Sequence, residues 1–476
     1  MRRGQEVSES SPRVADHLIS GIDWLITVDP DRRIIRNGAI AIKDGRFAAV
    51  GDSATIESEW QAEVVTDGGD RVATPGLIDN HLHTSFQLSR GLADEANAQT
   101  FLFERMYPYE GVMSADDVTV SASLAAMELL RHGVTCFIDP GNYHPQATVE
   151  AVAATGIRLV ASRSSFDKTK SVMGLLPEAM IETTEQALER AEEVLANYPA
   201  TADGRIRASA CFRGLNNATD ELITGLRELA EKYDCLLQTH ACFSYSTHDG
   251  SIAACGKPEI ERLESLGVLD ERMLLVHSGW LEPHEVALLA ERRPTLVAAP
   301  SSSLHNGYGN FVMGKIPELM ALGVNVSLGS DHASSGVVDM VQEMLLVAGG
   351  YKETRINPRV MPPENVLEMA TINGARGARM ADMIGSIEVG KQADLVLFDT
   401  QRPEWQPLYN PLSNLVYSAT GSSVTTVMVA GEVVVEDGHL TKIDETAVFA
   451  EVPKVMARIG EKLDLAKMVT LQWPVT

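Results

Sequence analysis

The chain has 476 residues, of which 40 are Lys or Arg and 65 are Asp or Glu, so its formal net charge is −25. Such an acidic chain repels phosphate backbones, which argues against a nucleic-acid partner. Hydrophobic residues make up 45 % and charged residues 22 %, a balance that excludes wholesale disorder and permits a large core. No apolar run approaches the roughly 18 residues of a membrane helix, so no membrane partner is expected.

The cysteines and the N-terminal segment indicate the compartment. Five cysteines without a CxxC pair, in a chain this long, argue against a disulfide framework. The first 20 residues begin basic but contain no apolar stretch, so they predict no secretory signal. We therefore expect a cytoplasmic protein, with residues 1–15 forming a disordered tail.

Two β-rich segments lie far apart in the sequence. Short strand-like runs separated by turn signals occupy residues 16–72, and similar runs occupy residues 388–445. This pattern predicts a small β-sandwich domain built from both ends of the chain, with a large domain of residues 73–387 inserted between them. Residues 446–476 are predicted to form a C-terminal helical extension.

The inserted segment alternates apolar strand-like runs with amphipathic helical patterns. Eight such alternations predict an α/β fold, a parallel (β/α)₈ TIM barrel. The first run ends at His83 in ATPGLIDNHLH, and the other seven runs are Gly133–Gly141, Gly156–Ser165, Arg205–Gly214, Cys235–Ala241, Arg272–Gly279, Pro294–Ser302 and Asn325–His332.

Side chains that can bind a metal fall at the ends of four of these strands. His81 and His83 end the first strand, and residues two apart on a strand face the same side. His240 ends the fifth strand, His277 the sixth and Asp331 the eighth. Active sites of such barrels lie at the carboxyl ends of the strands. The pattern therefore predicts one metal centre there.

The spacing supports this strand count. His83 and His240 are 157 residues apart, about 39 for each of four units, while His240 and His277 are 37 apart, one unit. From His277 to Asp331 there are 54 residues, which fit two short units. Mixed imidazole and carboxylate ligands suit a divalent transition metal, zinc first and iron, cobalt or manganese as alternatives.

Several motifs around these residues resemble the amidohydrolase superfamily, in its branch of triazine hydrolases and nucleobase deaminases. They are PGLIDNHLH, QTHA, LLVHSGWL, LGSDHASSGVVDM and, near the C-terminus, IGSIEVGKQADLVLFDT. The resemblance implies one metal held by His81, His83, His240 and Asp331, with His277 orienting the attacking water or the substrate oxygen. By analogy with such folds, a homo-oligomer is expected.

Two features refine that interpretation. Some members of the superfamily bridge two metals with a carbamylated lysine on the fourth strand, but RIRASACFRG contains no lysine, which argues for a single metal. Deaminases of this branch usually carry Glu three residues after the fifth-strand His, to protonate a ring nitrogen. Here that position is Phe243.

The missing acid favours hydrolysis of a linear C–N bond, because a urea, carbamate or amide needs no ring protonation. In this mechanism a bound metal lowers the pKa of water toward about 7, Asp331 moves a proton from water to the leaving amine, and His277 stabilises the oxyanion. A weakly basic amine leaves with least help, so N-aryl compounds, as in the phenylurea- and thiocarbamate-hydrolysing relatives, are attractive substrates.

Two alternatives remain open. One is a deaminase or dechlorinase of an aminated heterocycle such as a triazine, purine or pterin. The other is a non-catalytic scaffold, which the full ligand set argues against. In either enzyme the partner is a small-molecule substrate, and we predict that His305, on the loop after the seventh strand, and Phe243 contribute to binding it.

Overall fold

The computed structural model describes residues 12–171 and 173–474. The part of the chain that it describes contains two large sheets, a parallel barrel and a mixed sheet beside it. The predicted TIM barrel with a small sheet domain built from both chain ends is confirmed. Within the described ranges, no helix has the length and apolar character needed to cross a membrane.

Eight parallel strands form the barrel, each paired with the next in chain order. They match all eight predicted strands: β6 (Leu77–Asp79), β7 (Val134–Ile138), β8 (Arg158–Ser162), β11 (Ile206–Gly214), β12 (Leu237–Ala241), β13 (Met273–His277), β14 (Thr295–Ala298) and β15 (Val326–Leu328). Two backbone hydrogen bonds join the last strand region to the first: Asn80 N–H donates to the Leu328 carbonyl, and Asp331 N–H to the His81 carbonyl. This closure brings the ends of the first and eighth strands together.

The mixed sheet has nine strands from both ends of the chain. They are β1 (Arg13–Ile26), β2 (Ile34–Lys43), β3 (Arg46–Asp52), β4 (Trp60–Asp67), β5 (Arg71–Pro75), β16 (Leu395–Asp399), β17 (Val424–Val429), β18 (Glu432–Glu436) and β19 (His439–Leu440). The antiparallel pairing of β5 with β16 joins the N-terminal strands to the C-terminal ones.

The first strand starts earlier than the sequence pattern indicates. Residues 1–11 of the predicted tail lie outside the described residues, whereas Arg13 already pairs with Trp60 in the parallel ladder of β1 and β4. The partner strand is about 45 residues away in the sequence, so a local pattern contains no sign of it.

Seventeen helices are found in the described ranges. In the order α1 to α17 they are Ser53–Glu59, Tyr107–Gly111, Ala115–Arg131, Pro145–Ala153, Thr184–Asn197, Asp220–Lys232, Tyr245–Cys255, Glu259–Ser265, Pro283–Arg292, Pro300–Asn306, Asn310–Met313, Ile316–Ala321, Met340–Arg355, Pro363–Met369, Ile372–Gly377, Pro411–Tyr417 and Glu445–Gly460. A short hairpin of β9 (Lys170–Ser171) and β10 (Gly174–Leu175) lies between β8 and α5.

The long connection between β6 and α3 forms one wall above the barrel. It contains a 3₁₀ turn at Thr84–Ser89, a π-helical segment at Thr100–Met106 and α2. Its aromatic side chains pack inward and are covered from outside by α17, whose Val455 and Ile459 are fully buried. The wall thus has its own apolar core, separate from the barrel interior.

Candidate metal centre

The predicted ligands lie at the carboxyl end of the barrel. His81 and His83 follow β6, His240 is the fourth residue of β12, and Asp331 comes three residues after β15. The parallel strands all end at this rim, so residues far apart in the sequence meet there.

Asp79 fixes the two segments that carry three of these ligands. Its Oδ1 accepts hydrogen bonds from the backbone N–H of His81 at 3.1 Å and of Ser330 at 3.0 Å, while its Oδ2 accepts from Ser330 Oγ at 2.6 Å. Asp79 is completely buried. One carboxylate thereby holds the ends of the first and eighth strands in register.

The four predicted ligands converge on one point. His81 Nε2 lies 2.9 Å from His240 Nε2, and His83 Nε2 lies 3.3 Å from each of these two atoms. Asp331 Oδ1 is 3.4 Å, 3.3 Å and 3.8 Å from Nε2 of His81, His83 and His240 respectively. Among the described residues, these four form a group of His and Asp ligands able to hold a metal ion.

These distances fit a tetrahedral cation. Ligands about 2.0–2.1 Å from a zinc ion lie about 3.3–3.4 Å from one another. Three imidazole nitrogens facing each other at this spacing cannot all be satisfied by mutual hydrogen bonds, since a neutral ring has only one N–H. The donor set and its geometry therefore fit a single divalent transition metal.

The protonation states also suit metal binding. Burial lowers the pKa of His81 to about 4, and it lowers the pKa of His83 well below the ordinary value. Burial opposes ionisation of Asp331, but hydrogen bonds with His240, His81 and His83 outweigh it and hold the pKa of Asp331 well below its usual range. Neutral imidazoles and an ionised carboxylate are the forms that coordinate a cation.

The orientation of His240 is set from the neighbouring strand. Its Nδ1 lies 2.6 Å from the carbonyl oxygen of Arg213, which requires the proton on Nδ1 and leaves Nε2 free to coordinate. The Arg213 guanidinium is itself held by Glu110 of α2 in a bidentate pair at 2.8 and 3.0 Å, and both side chains are buried.

His277 approaches the same centre from β13. Its Nε2 lies 3.4 Å from Asp331 Oδ2, the carboxylate oxygen that also accepts a hydrogen bond from Ser302 Oγ at 2.6 Å. Both His277 (φ +79°) and Asp331 (φ +47°) adopt left-handed backbone conformations. Such strain is common where function fixes a side chain. His277 therefore lies beside the centre and faces the Asp331 carboxylate.

Above the centre lies a cavity of about 710 Å³, counted with its open mouth. Aromatic side chains dominate its lining: Phe86, Phe101, Phe103, Tyr107, Phe166, Phe243 and Tyr308. His83, His240, His277 and Asp331 also line this cavity.

Phe243 lies within the site, as predicted for a substrate-binding residue. Its ring is half-buried, 5.6 Å from that of His277 and 5.2 Å from that of Tyr308. His305 is placed elsewhere. It is exposed, does not belong to the cavity lining, and directs Nε2 to Asp94 Oδ1 at 3.1 Å. The structure therefore does not bring His305 to the site.

The sequence analysis missed several residues of the cavity. Ser302 and Tyr308 lie on the segment after β14, each three residues from His305, and nothing in their spacing distinguishes them from it. Glu259, the first residue of α8, also lines the cavity. Its position 19 residues after His240 gives no sequence signal, because α7 lies between them.

The chain is similar to known proteins over most of its length. The profile of the Amidohydrolase family matches residues 72–434. A 5-methylthioadenosine/S-adenosylhomocysteine deaminase of Moorella thermoacetica is 32% identical over 424 residues, covering 89% of this chain and 95% of the relative.

Two solved structures are similar to this chain over nearly its whole length. A zinc-bound adenosine deaminase from Xanthomonas campestris superposes with a TM-score of 0.88 and is 28% identical, covering 95% of this chain and 100% of that one. The atrazine chlorohydrolase of Arthrobacter aurescens TC1, complexed with zinc, has a TM-score of 0.82 at 23% identity, over 92% of this chain and 100% of that one. The second likeness concerns the fold alone.

Proposed function

Because the chain belongs to the amidohydrolase family and is a metal-dependent hydrolase of carbon–nitrogen bonds, we propose that it removes the exocyclic amino group of an aminated heterocycle by hydrolysis. The observation that carries the proposal is the three-histidine, one-aspartate centre at the floor of an aromatic cavity. The relatives named as deaminases of adenosine compounds support this alternative over linear ureas, the first choice of the sequence analysis.

The cavity suits a flat and uncharged ring. Aromatic walls favour stacking with a heterocycle. Arg213, the cationic side chain in its described lining, already donates to Glu110, to Ser164 Oγ and to the Gly141 carbonyl. Little hydrogen-bonding capacity of this guanidinium remains for a phosphate or a carboxylate. We therefore expect a neutral substrate.

The side chains of the site provide the steps of such a reaction. A divalent ion held by the four converging ligands, with zinc as our first choice, would supply Lewis-acid activation of the attacking water. Asp331 accepts a proton from the attacking water and returns it to the leaving nitrogen. His277, facing Asp331 Oδ2, stabilises the charge that develops on the oxygen.

A second candidate follows from Phe243. An apolar ring beside His277 suits an N-aryl urea, carbamate or amide, whose linear C–N bond breaks without protonation of a ring. The same centre performs this hydrolysis, so the two candidates differ in what occupies the aromatic cavity and not in the chemistry at its floor.

A paired substrate test separates them. The zinc-loaded protein is incubated with aminopurine nucleosides and aminotriazines, and in parallel with N-aryl ureas and carbamates, while ammonia and aniline are measured. We expect ammonia or a simple alkylamine from the heterocycles, and no product with Asp331→Asn. Aniline release without turnover of any heterocycle would overturn the proposal in favour of the second candidate.

We also propose a cytoplasmic location, a homo-oligomer and substrate contacts of Phe243. The bounds of 16 and 72 predicted for the first part of the small β domain are too narrow, because β1 begins at Arg13 and β5 ends at Pro75. Metal analysis of the purified protein tests the choice of zinc, since iron, cobalt and manganese accept the same donors.

A further inference from the structure

The described lining of the cavity contains two carboxyl groups, Asp331 and Glu259. Asp331 is already assigned to metal binding and to proton transfer from the attacking water. We propose that Glu259 is the group that donates a hydrogen bond, and then a proton, to a ring nitrogen of the bound heterocycle. This inference rests on the proposed function, and it assigns the acid that a heterocyclic substrate requires.

Glu259 is held firmly at the end of the strand that carries His240. Its Oε2 accepts a hydrogen bond from the backbone N–H of Cys242 at 2.5 Å, and its side chain is buried. Cys242 lies between His240 and Phe243 and has a left-handed conformation, φ +54°. This hydrogen bond engages Oε2, and Glu259 also lines the cavity, so the proposal assigns the ligand contact to Oε1.

The position of Glu259 also accounts for Phe243, an apolar residue beside the centre. The fifth-strand loop presents a ring where an acid is usual, while a carboxyl group reaches the same loop from α8. Thr247 and Asn216 also line the cavity, and the Asn216 side-chain amide donates to the Thr247 carbonyl. The cavity therefore combines an aromatic surface with one carboxyl that is not a predicted ligand.

The surroundings of Glu259 favour its protonated form near neutral pH. Burial raises the pKa of Glu259 to about 7, and the carboxylate of Glu285 acts in the same direction. Hydrogen bonds with Cys242 and the charge of Arg262 oppose this rise, but Arg262 is itself paired with Asp220 at 2.6 Å. His248, whose charge acts on Glu285, faces Glu282 at 3.3 Å.

The proposed step is balanced. Asp331 takes one proton of water, Glu259 gives its proton to the ring nitrogen, and the water oxygen bonds to the adjacent carbon. The bond from this carbon to the exocyclic nitrogen then breaks, and the amine leaves with the proton held by Asp331. The remaining hydroxyl proton passes to the Glu259 carboxylate. The product carries a carbonyl and a ring N–H, and no oxidant or reductant is needed.

The decisive variants are Glu259→Gln and Glu259→Met. Glutamine preserves an acceptor for Cys242 and a donor for the ring nitrogen but has no transferable proton. With an accepted aminopurine, we expect kcat of Glu259→Gln to fall about 100-fold or more, with KM within about threefold of wild type. Glu285→Gln changes a second buried carboxyl, on α9, which accepts the backbone N–H of Ile260 in α8 and does not line the cavity; it should keep kcat within a few-fold.

Binding supplies a readout that is independent of turnover. Titration calorimetry compares an aminopurine with its deaza analogue, in which the ring nitrogen beside the amino-bearing carbon is replaced by C–H. Wild type and Glu259→Gln should prefer the purine about tenfold, and Glu259→Met should lose this preference. Melting temperatures and metal content check that each variant is folded and loaded.

The outcomes separate this inference from the proposed function. If Glu259→Gln deaminates at the wild-type rate, or if Glu259→Met keeps the preference for the ring nitrogen, Glu259 is not the donor although the deaminase remains. If the wild type neither binds nor converts any aminated heterocycle and cleaves N-aryl ureas instead, the proposed function and this role of Glu259 both fail.

Discussion

His277 is the residue whose contribution can be separated most cleanly from metal binding. It contacts Asp331 Oδ2 but does not belong to the group of four converging ligands. We therefore expect His277→Ala to retain the metal and to lower kcat about 100- to 1,000-fold, as loss of one oxyanion-stabilising donor does. Steady-state kinetics and metal content of the same preparation measure both effects.

His240→Ala is the matched control, because it removes an imidazole of the same cavity that does belong to the ligand group. It should lose both metal and activity. If His277→Ala also loses the metal, His277 is a ligand and not a catalytic residue. Unchanged kcat in that variant would remove it from the mechanism.

The convergence of the four candidate ligands could be predicted from sequence because each lies at the end of a strand-like run and strand ends share one rim. His81 and His83 add the period of two that places both on one face. Glu259 and Tyr308 could not be predicted: Glu259 begins α8 and Tyr308 lies between α10 and α11, and the placement of both segments depends on packing. His305 shows the converse: its position after the seventh strand was predicted correctly, but it lies in α10 and not on a loop, and its Nε2 faces Asp94.

Among the elements, α2 and β11 form a support for the site. Glu110 on α2 pairs with Arg213 of β11, whose carbonyl oxygen orients His240. Removing one partner of a buried ion pair typically costs about 3–5 kcal/mol, and loss of a residue supporting a metal ligand weakens metal binding about 10- to 100-fold. We expect Glu110→Gln to show both effects, measured by urea unfolding and by chelator competition.

Glu182→Gln separates the two effects. Glu182 is also buried and pairs with Arg163 at 2.5 Å, but neither residue contacts His240 through the hydrogen bonds of the described chain. This variant should lose stability while its metal affinity stays at the wild-type value. Equal metal affinities in Glu110→Gln and wild type would show that the ion pair does not position His240.

At the scale of elements, the barrel strands were predicted more accurately than the mixed sheet. Each barrel strand is a short apolar run buried on both sides, which the sequence shows directly. By contrast, β1 begins at Arg13 because β4 pairs with it from a distant part of the chain. Such pairing between distant segments cannot be predicted from a local sequence pattern. The same holds for the packing of α17 over the aromatic wall.

For the whole molecule, the pH dependence of the free energy of unfolding measures the protonation of the buried Glu259 carboxyl. The pKa of Glu259 rises from 4.5 to about 7 on folding, mainly through burial. The folded state thus holds this proton more tightly than the unfolded state. The resulting stabilisation is fully present below about pH 4.5 and is lost as the pH rises through about 7.

Glu259→Gln cannot titrate and so lacks this contribution. Between pH 5 and 8, the free energy of unfolding of the wild type should fall relative to that of Glu259→Gln, by up to ~1.4 kcal/mol for each unit of pKa shift. Urea unfolding of both proteins at several pH values measures the difference. The net charge of −25 and the metal-linked protons affect both proteins almost equally, so they largely cancel in the comparison. Parallel curves over this range would mean that Glu259 is already ionised in the folded protein at pH 5, and the proton donor would have to be sought elsewhere.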